Sequence, residues 1–395
     1  MKIALVGRGF STSWGGAERF GLTLARALEE AGHCVEVYAG RVEGGGASGF
    51  TIHRVPVVTV SSALRLLSFN RNVRKMLDKG DHDVVLGLCQ FFPLDIYRAG
   101  GGVYAHWMRL RYANPLVRAA KYVTSPVHIA MRWLEKKIME PGNHRFVVAN
   151  SRLVKEHLKE DFDLDDSDIR VIYNGIDHAL FNPGARSHRD KVRKRLGVGK
   201  NDLLLLFVSN NWKRKGLGTI IRALAPGGGF RAVVVGRGRQ RGFSRAMKAS
   251  GLDEGRVIFA GTTDRVEEFY GAADAFVLPT QYDPCSNACL EAMACALPVI
   301  TTDTNGASEF IEHGKNGFVL HDWADHEALR GFLHELEVRE RRELMGRRAH
   351  EAVRGLTVER TMREFVEVCE AAIELGGGRS AHAGVAEHSG LETGR

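Results

Sequence analysis

The chain has no apolar run approaching the ~18 residues that a membrane-spanning helix needs, so no such helix is expected in it. It has only 6 cysteines and 10 prolines in 395 residues. The cysteines (Cys34, Cys89, Cys285, Cys289, Cys295 and Cys369) fall inside apolar runs. The opening segment carries about five apolar residues before Gly7 and Arg8. That is shorter than a secretory signal core, and it reads as a buried first strand. A disulfide framework is therefore not expected, and the expected compartment is reducing. Cys285, Cys289 and Cys295 cluster, but at no zinc spacing and with no histidine among them, so no metal is expected. A G-x-G-x-x-G fingerprint is also missing. Gly7-Arg8-Gly9 comes too early and lacks the third glycine, which argues against a dinucleotide cofactor.

What is present is an ordinary globular balance, 44% hydrophobic and 26% charged residues, on a chain long enough for two domains. Lysine and arginine total 55 against 47 acids, a net charge of +8 that favours anionic partners without choosing among them. Short β-branched runs alternate with helical periodicity throughout. Strands are expected at 2–6, 35–38, 83–88, 145–149 and 170–173, with a helix over 17–31. A polar stretch with Gly175, Pro183 and Gly184 reads as a linker. The alternation restarts with strands at 203–208, 231–235, 257–261, 275–278, 298–301 and 317–320. The expected fold class is α/β: two tandem doubly wound Rossmann-like domains facing a cleft, where such sheets bind ligands beyond the carboxyl ends of their strands. The expected boundaries are 1–175, a linker at 176–190, 191–356, a helix at 357–375 and a disordered tail at 376–395.

Five constellations carry chemistry. Gly15 and Gly16 close the first strand-to-helix loop, where backbone N–H groups can approach an anion; a tight turn explains them equally well. Arg214 and Lys215, in Lys-Arg-Lys-Gly after the strand at 203–208, are placed to neutralise a diphosphate, or form a solvated basic turn. The run from Pro279 to Glu291 sets Asp283 in a loop and Glu291 about one turn inside a helix, as acceptors for sugar and ribose hydroxyls or, equally, as a local cap acceptor and a salt-bridge partner. The N–H groups of Ser286, Asn287 and Ala288 then lie at the helix start, suited to phosphate. The segment from Asp95 to Trp107 holds three consecutive glycines and two titratable groups, Asp95 and His106; the imidazole suits proton handling, although a lone histidine beside a tryptophan is more often structural. Finally, residues 106–145 carry eight cations against two acids, interleaved with aromatic and aliphatic groups. Arg109, Arg111, Arg118, Lys121 and Arg132 are candidates for an anionic membrane surface, or for an ordinary solvated face. The Gly236–Gly242 run, rich in arginine, follows a strand directly and reads as a strand-to-helix loop, so no nucleic-acid partner is expected.

Together, Gly-Gly-Ala-Glu near the start, Lys-Arg-Lys-Gly, and Asp283-x7-Glu291 running into Ala-Met-Ala-Cys-Ala-Leu-Pro-Val-Ile resemble the family 4 glycosyltransferases. The blocks 94–99 and 282–291 are most similar to the lipopolysaccharide-core glucosyltransferases of that family. The resemblance implies two facing domains of the glycosyltransferase B type with a C-terminal helix returning to the first. It also implies a UDP-sugar donor, no metal or other cofactor, and retention of anomeric configuration. The acceptor would be a lipid-linked core oligosaccharide bearing heptose. The enzyme would be cytoplasmic and peripheral on the inner membrane.

Carried onto this sequence, Glu291 would hold the donor ribose and Asp283 the transferred sugar. Arg214 and Lys215 would hold the diphosphate, near the loop shaped by Gly15 and Gly16. The sequence departs from the family pattern at three places. Asp283 stands where glutamate is usual, Gly101 where an acid is expected in near relatives, and Ala296 where a glycine is usual. With Gly101 lacking a carboxylate, His106 and Asp95 become the candidate acid–base residues beside Asp283. The alternatives are a family 4 transferase of other specificity and a non-catalytic sugar-nucleotide-binding scaffold.

Overall fold

A computed structural model describes residues 1–11, 16–43, 50–225, 229–253 and 255–375. Gly15 and the tail expected at 376–395 lie outside the described residues. Thirteen strands follow in chain order among them. In the first half these are β1 (Lys2–Ser11), β2 (Cys34–Glu43), β3 (Thr51–Arg54), β4 (Val84–Gly87), β5 (Ile96–Arg98), β6 (Phe146–Ala149) and β7 (Ile169–Val171). In the second they are β8 (Leu203–Val208), β9 (Phe230–Val235), β10 (Val257–Gly261), β11 (Ala275–Leu278), β12 (Val299–Thr302) and β13 (Gly317–Leu320).

They form two sheets, ordered β3-β2-β1-β4-β5-β6-β7 and β10-β9-β8-β11-β12-β13. The pairs β1–β2, β1–β4, β2–β3 and β4–β5 are parallel, as are those of the second sheet. In each sheet the first strand sits centrally and the order reverses beside it, which makes the space between β1 and β4, and between β8 and β11, a topological switch point. Parallel strands covered on both faces must be apolar throughout. Accordingly β4, β6, β11 and β12 are buried at every residue.

The chain packs as two units. One comprises Met1–Arg98, Lys121–Val147 and the residues from Met362; the other comprises Ala99–Ala120 and Val148–Thr361. In the first, the terminal helix Val358–Glu374 sets Phe365 edge-on against Phe20 at 5.4 Å, and Arg145 donates to the Ala372 carbonyl. That is the expected return of the last helix to the first domain.

Two strands run well past their expected ends, β2 by five residues beyond Tyr38 to Glu43. β1 runs five residues past the expected Val6, through Gly7 and Gly9 to Ser11. Those glycines are not turn residues: the Phe10 ring lies where a Cβ on Gly7 or Gly21 would stand, at 2.7 and 2.5 Å. β3 and β5 were not anticipated. The first is a four-residue edge strand, mostly exposed, and the second is three residues long.

Candidate active site

In the second unit, the Lys213–Gly216 turn follows β8 and the loop from Pro279 follows β11, so both flank the switch point of the six-stranded sheet. Backbone bonds knit them together: Gln281 N–H donates to the Arg214 carbonyl at 2.8 Å. Gly216 has φ +83°, and a Cβ there would lie 2.0 Å from the Pro279 carbonyl oxygen, so the close approach requires glycine. It caps helix Leu217–Leu224. Across the junction, Lys215 Nζ donates to an Asp283 carboxylate oxygen. The two side chains are only 10% and 14% exposed, which places this opposite-charge pair largely out of water. Asp283 is fixed by its backbone, with N–H to Thr304 O and carbonyl from Gly306 N–H, both 3.0 Å.

Helix Asn287–Ala294 opens four residues after Asp283, with Ser286 as its cap. The Ser286 N–H is already taken by Asn305 Oδ1 at 3.1 Å, so it is not available to a ligand as the sequence suggested. Asn287 and Ala288 supply the first two helical N–H groups, which have no carbonyl partner within the helix. The Asn287 side chain accepts from Asn174 at 2.7 Å. Glu291 lies one turn in. Its Oε2 accepts from the hydroxyl of fully buried Tyr270 at 2.8 Å, and burial together with the Glu291 charge raises the Tyr270 pKa, keeping the phenol protonated and donating. Lys215, Asp283 and Glu291 thus stand on three neighbouring pieces of one sheet edge, with Arg214 over the Trp107 ring at 5.5 Å.

Trp107 belongs to helix Tyr104–Arg111, as does His106. The His106 ring stacks on His157 at 3.3 Å between centroids and lies 5.6 Å from that of Tyr282, the residue before Asp283. Gly102 permits this: with φ +74°, its Cβ would fall 2.2 Å from the Tyr282 hydroxyl. Burial, and then the Arg109 cation, hold His106 down at about 4. Burial, and then His106 and Arg109, do the same for His157, also to about 4. Arg109 donates to His106 Nδ1 at 3.0 Å, which assigns the ring proton to Nε2. Held so, neutral His106 carries its proton on Nε2 and has its basic nitrogen engaged by Arg109. A side chain on Gly101 would meet nothing within 4 Å.

Asp95 stands in the first unit, just before β5. Its carboxylate accepts from Val85 N–H at 2.7 Å and pairs with Arg145 at 3.4 Å, binding β4 to β5. That is a structural engagement within the first unit. Gly16 opens helix Gly16–Glu30.

Of the surface cations, Arg109 forms a bidentate pair with Asp161, so its charge is engaged inside the second unit. Arg132 pairs with Glu135 at 3.2 Å, Arg118 donates to Tyr112 O, and Arg111 lies 5.4 Å from the Tyr112 ring. Lys121 is exposed on helix Pro115–Thr124, which has no buried residue. Sequence reasoning missed His157, Tyr270 and Asp161. Each meets its partner only through the fold, and nothing local marks it.

Two family profiles match the chain, "Glycosyltransferase Family 4" over residues 14–180 and "Glycosyl transferases group 1" over 202–336. The chain belongs to the family 4 glycosyltransferases, and is an enzyme of that class. Among individual relatives, it is 24% identical over 314 residues to the lipopolysaccharide glucosyltransferase WaaG of Escherichia coli, covering 78% of this chain and 82% of that one. It is 30% identical over 178 residues to the glycosyltransferase MJ1607 of Methanocaldococcus jannaschii, spanning 43% of this chain and less than half of that relative, 45%. The crystal structure of WaaG superposes with TM-score 0.79 at 22% identity, over 95% of this chain and 100% of that one. That of Anabaena HepE in complex with UDP-glucose does so with TM-score 0.69 at 19% identity, over 94% and 100%. These likenesses establish the fold: two Rossmann-like domains of the glycosyltransferase B type.

Proposed function

We propose that the protein transfers a hexose, glucose in this reading, from a UDP-sugar to a heptose of lipopolysaccharide core, with retention and without a metal, at the cytoplasmic face of the inner membrane. The observation that carries it is the Lys215–Asp283 pair at the switch point, beside the helix start of Asn287 and Ala288 and the Tyr270-held Glu291. The similarity to WaaG supports the acceptor class, and the HepE complex supports the donor.

In this reading Glu291 accepts from the ribose diol, its orientation set by Tyr270. Lys215, Arg214 and the Asn287 and Ala288 N–H groups neutralise the diphosphate as its bond to the anomeric carbon breaks through an oxocarbenium-like state. Asp283 accepts from the sugar hydroxyls, and His106 Nε2–H donates to them. With Nδ1 of His106 occupied by Arg109, the proton of the acceptor hydroxyl passes to the departing phosphate oxygen. The exposed face of helix Pro115–Thr124 meets the membrane. Among the described residues no helix is long and apolar enough to cross one.

The test is to incubate the protein with truncated core lipopolysaccharide and each UDP- or GDP-sugar and to weigh the products. A hexose added from UDP-glucose alone is the expected result. UDP binding without transfer to any acceptor leaves a scaffold, and transfer from another donor leaves a different family 4 specificity.

A further inference from the structure

A cavity of about 620 Å³ in the first unit has no part in the donor site above. It lies at the carboxyl-terminal halves of β1 and β2, where Gly9 and Arg41 are in register, and is closed by the first turns of helix Ser62–Leu77. Its lining includes three arginines, Arg8, Arg41 and Arg65, and no aspartate or glutamate among the described residues. The Arg8 guanidinium is held in position by Gln90 Oε1. The first turn of the helix also carries no acid, so its N-terminal partial charge adds to the field. Phe69 and Met131 give the cavity an apolar wall.

Three like charges around one cavity repel one another, and a dianion removes that repulsion. The guanidinium fork matches a phosphate in geometry as well as charge. The volume is far larger than phosphate needs and falls within the ~300–1,000 Å³ of small-molecule sites. An aromatic and a thioether wall suits the C–H face of a sugar ring.

The geometry points to a subsite in this cavity for a phosphorylated saccharide, the acceptor of the transfer, with Arg8, Arg41 and Arg65 around its phosphate. This rests on the glycosyltransferase reading. The acceptor is then selected by its charge in the first unit, and the donor by Lys215, Asp283 and Glu291 in the second.

The experiment is calorimetry on the full chain with delipidated, phosphorylated core oligosaccharide, and with the same oligosaccharide after phosphatase treatment. The phosphorylated form should bind about tenfold tighter or more, the worth of one charge-assisted hydrogen bond. Arg65→Ala should remove most of that preference and Arg65→Lys restore part of it. Arg65 is solvent-exposed on a helix, and an unchanged melting temperature verifies that the variant folds. Equal affinity for the two forms overturns the proposal, and so does a preference that survives Arg65→Ala and Arg8→Ala together. Phosphatidylglycerol vesicles that displace the oligosaccharide assign the arginines to a lipid headgroup and also overturn it. Hexose transfer from UDP-glucose to truncated core lipopolysaccharide by the wild-type chain is measured in parallel. If transfer is absent while the phosphate preference persists, the transferase reading fails and the anion site stands.

Discussion

Ala296 adopts φ +59°, a left-handed backbone unusual for a residue with a side chain. It follows the C-cap Cys295 of helix Asn287–Ala294. Its N–H bonds to Met293 O at 2.9 Å, and that of Leu297 to Ala292 O at 3.0 Å, the paired bonds that close a helix through a left-handed residue. The family's usual glycine at this place is thereby explained, and alanine bears a cost of ~1–2 kcal/mol. Ala296→Gly relieves that strain and gives back ~0.4–1 kcal/mol in unfolded-chain entropy. The net expectation is a chain about 0.5–1 kcal/mol more stable, read as a melting temperature about 2 °C higher.

The stacked His106 and His157 make a second test at this scale. Both sit near 4 in the folded chain against an ordinary 6.5, so the unfolded chain binds more protons between those values. Their contribution to stability is complete above pH 6.5 and is lost as pH falls through 4. A melting temperature measured from pH 7 to 4 should fall over this window, and His157→Phe should flatten the slope. Glu36, held down to about 2 chiefly by its hydrogen bonds from Lys2 and His82 against the opposing effect of burial, acts in a separate window, from 4.5 down to 2. For the chemistry, Glu291→Ala and Lys215→Ala should each lower turnover on the order of 10²-fold, the usual loss on removing one preorganised charge-stabilising group. Near-wild-type turnover in both defeats their assignment.

Among the elements, helix Pro115–Thr124 stands apart. It buries no residue, and Leu116 and Val123, seven residues apart and so on one face, are 79% and 74% exposed, with Arg118 and Lys121 toward the other side of the helix. An apolar stripe on one side with cations on the polar side suits an anionic bilayer. Co-sedimentation with phosphatidylglycerol vesicles should fall on Leu116→Asp/Val123→Asp, and should weaken with salt as surface charges are screened. Unchanged sedimentation removes the membrane from this helix.

The elements also differ in how legible they were. β8, β10, β11 and β13 have the bounds that their apolar runs imply, because each run is bracketed by polar residues or, after β11, by Pro279. β1 was read short because Gly7 and Gly9 look like turn signals, whereas Gly7 makes room for the Phe10 ring. β5 is three residues long and carries no periodicity to read. At the site, Lys215, Asp283 and Glu291 were legible because they follow strands or open a helix. The Tyr270 bond to Glu291 and the His106–His157 stack were not, since side chains far apart in sequence meet there only once the sheet has formed.

At the scale of the whole molecule, both halves use the same strand order, with a central first strand and a reversal beside it, and this puts ligand-binding loops at the carboxyl edge of each sheet. The second sheet spends that edge on Lys215, Asp283 and Glu291; the first bears the arginine-lined cavity. In the proposed mechanism Lys215, Asp283 and Glu291 grip one nucleotide sugar and activate it for transfer. The most direct measurement is single-turnover transfer from UDP-glucose to heptose-terminated core lipopolysaccharide, with UDP affinity determined on the same samples of wild type, Lys215→Ala and Glu291→Ala. The account expects one hexose gained by the acceptor with wild type, weaker UDP binding in Glu291→Ala, and slower transfer at saturating donor in Lys215→Ala. Transfer and UDP binding unaltered by either substitution would contradict it.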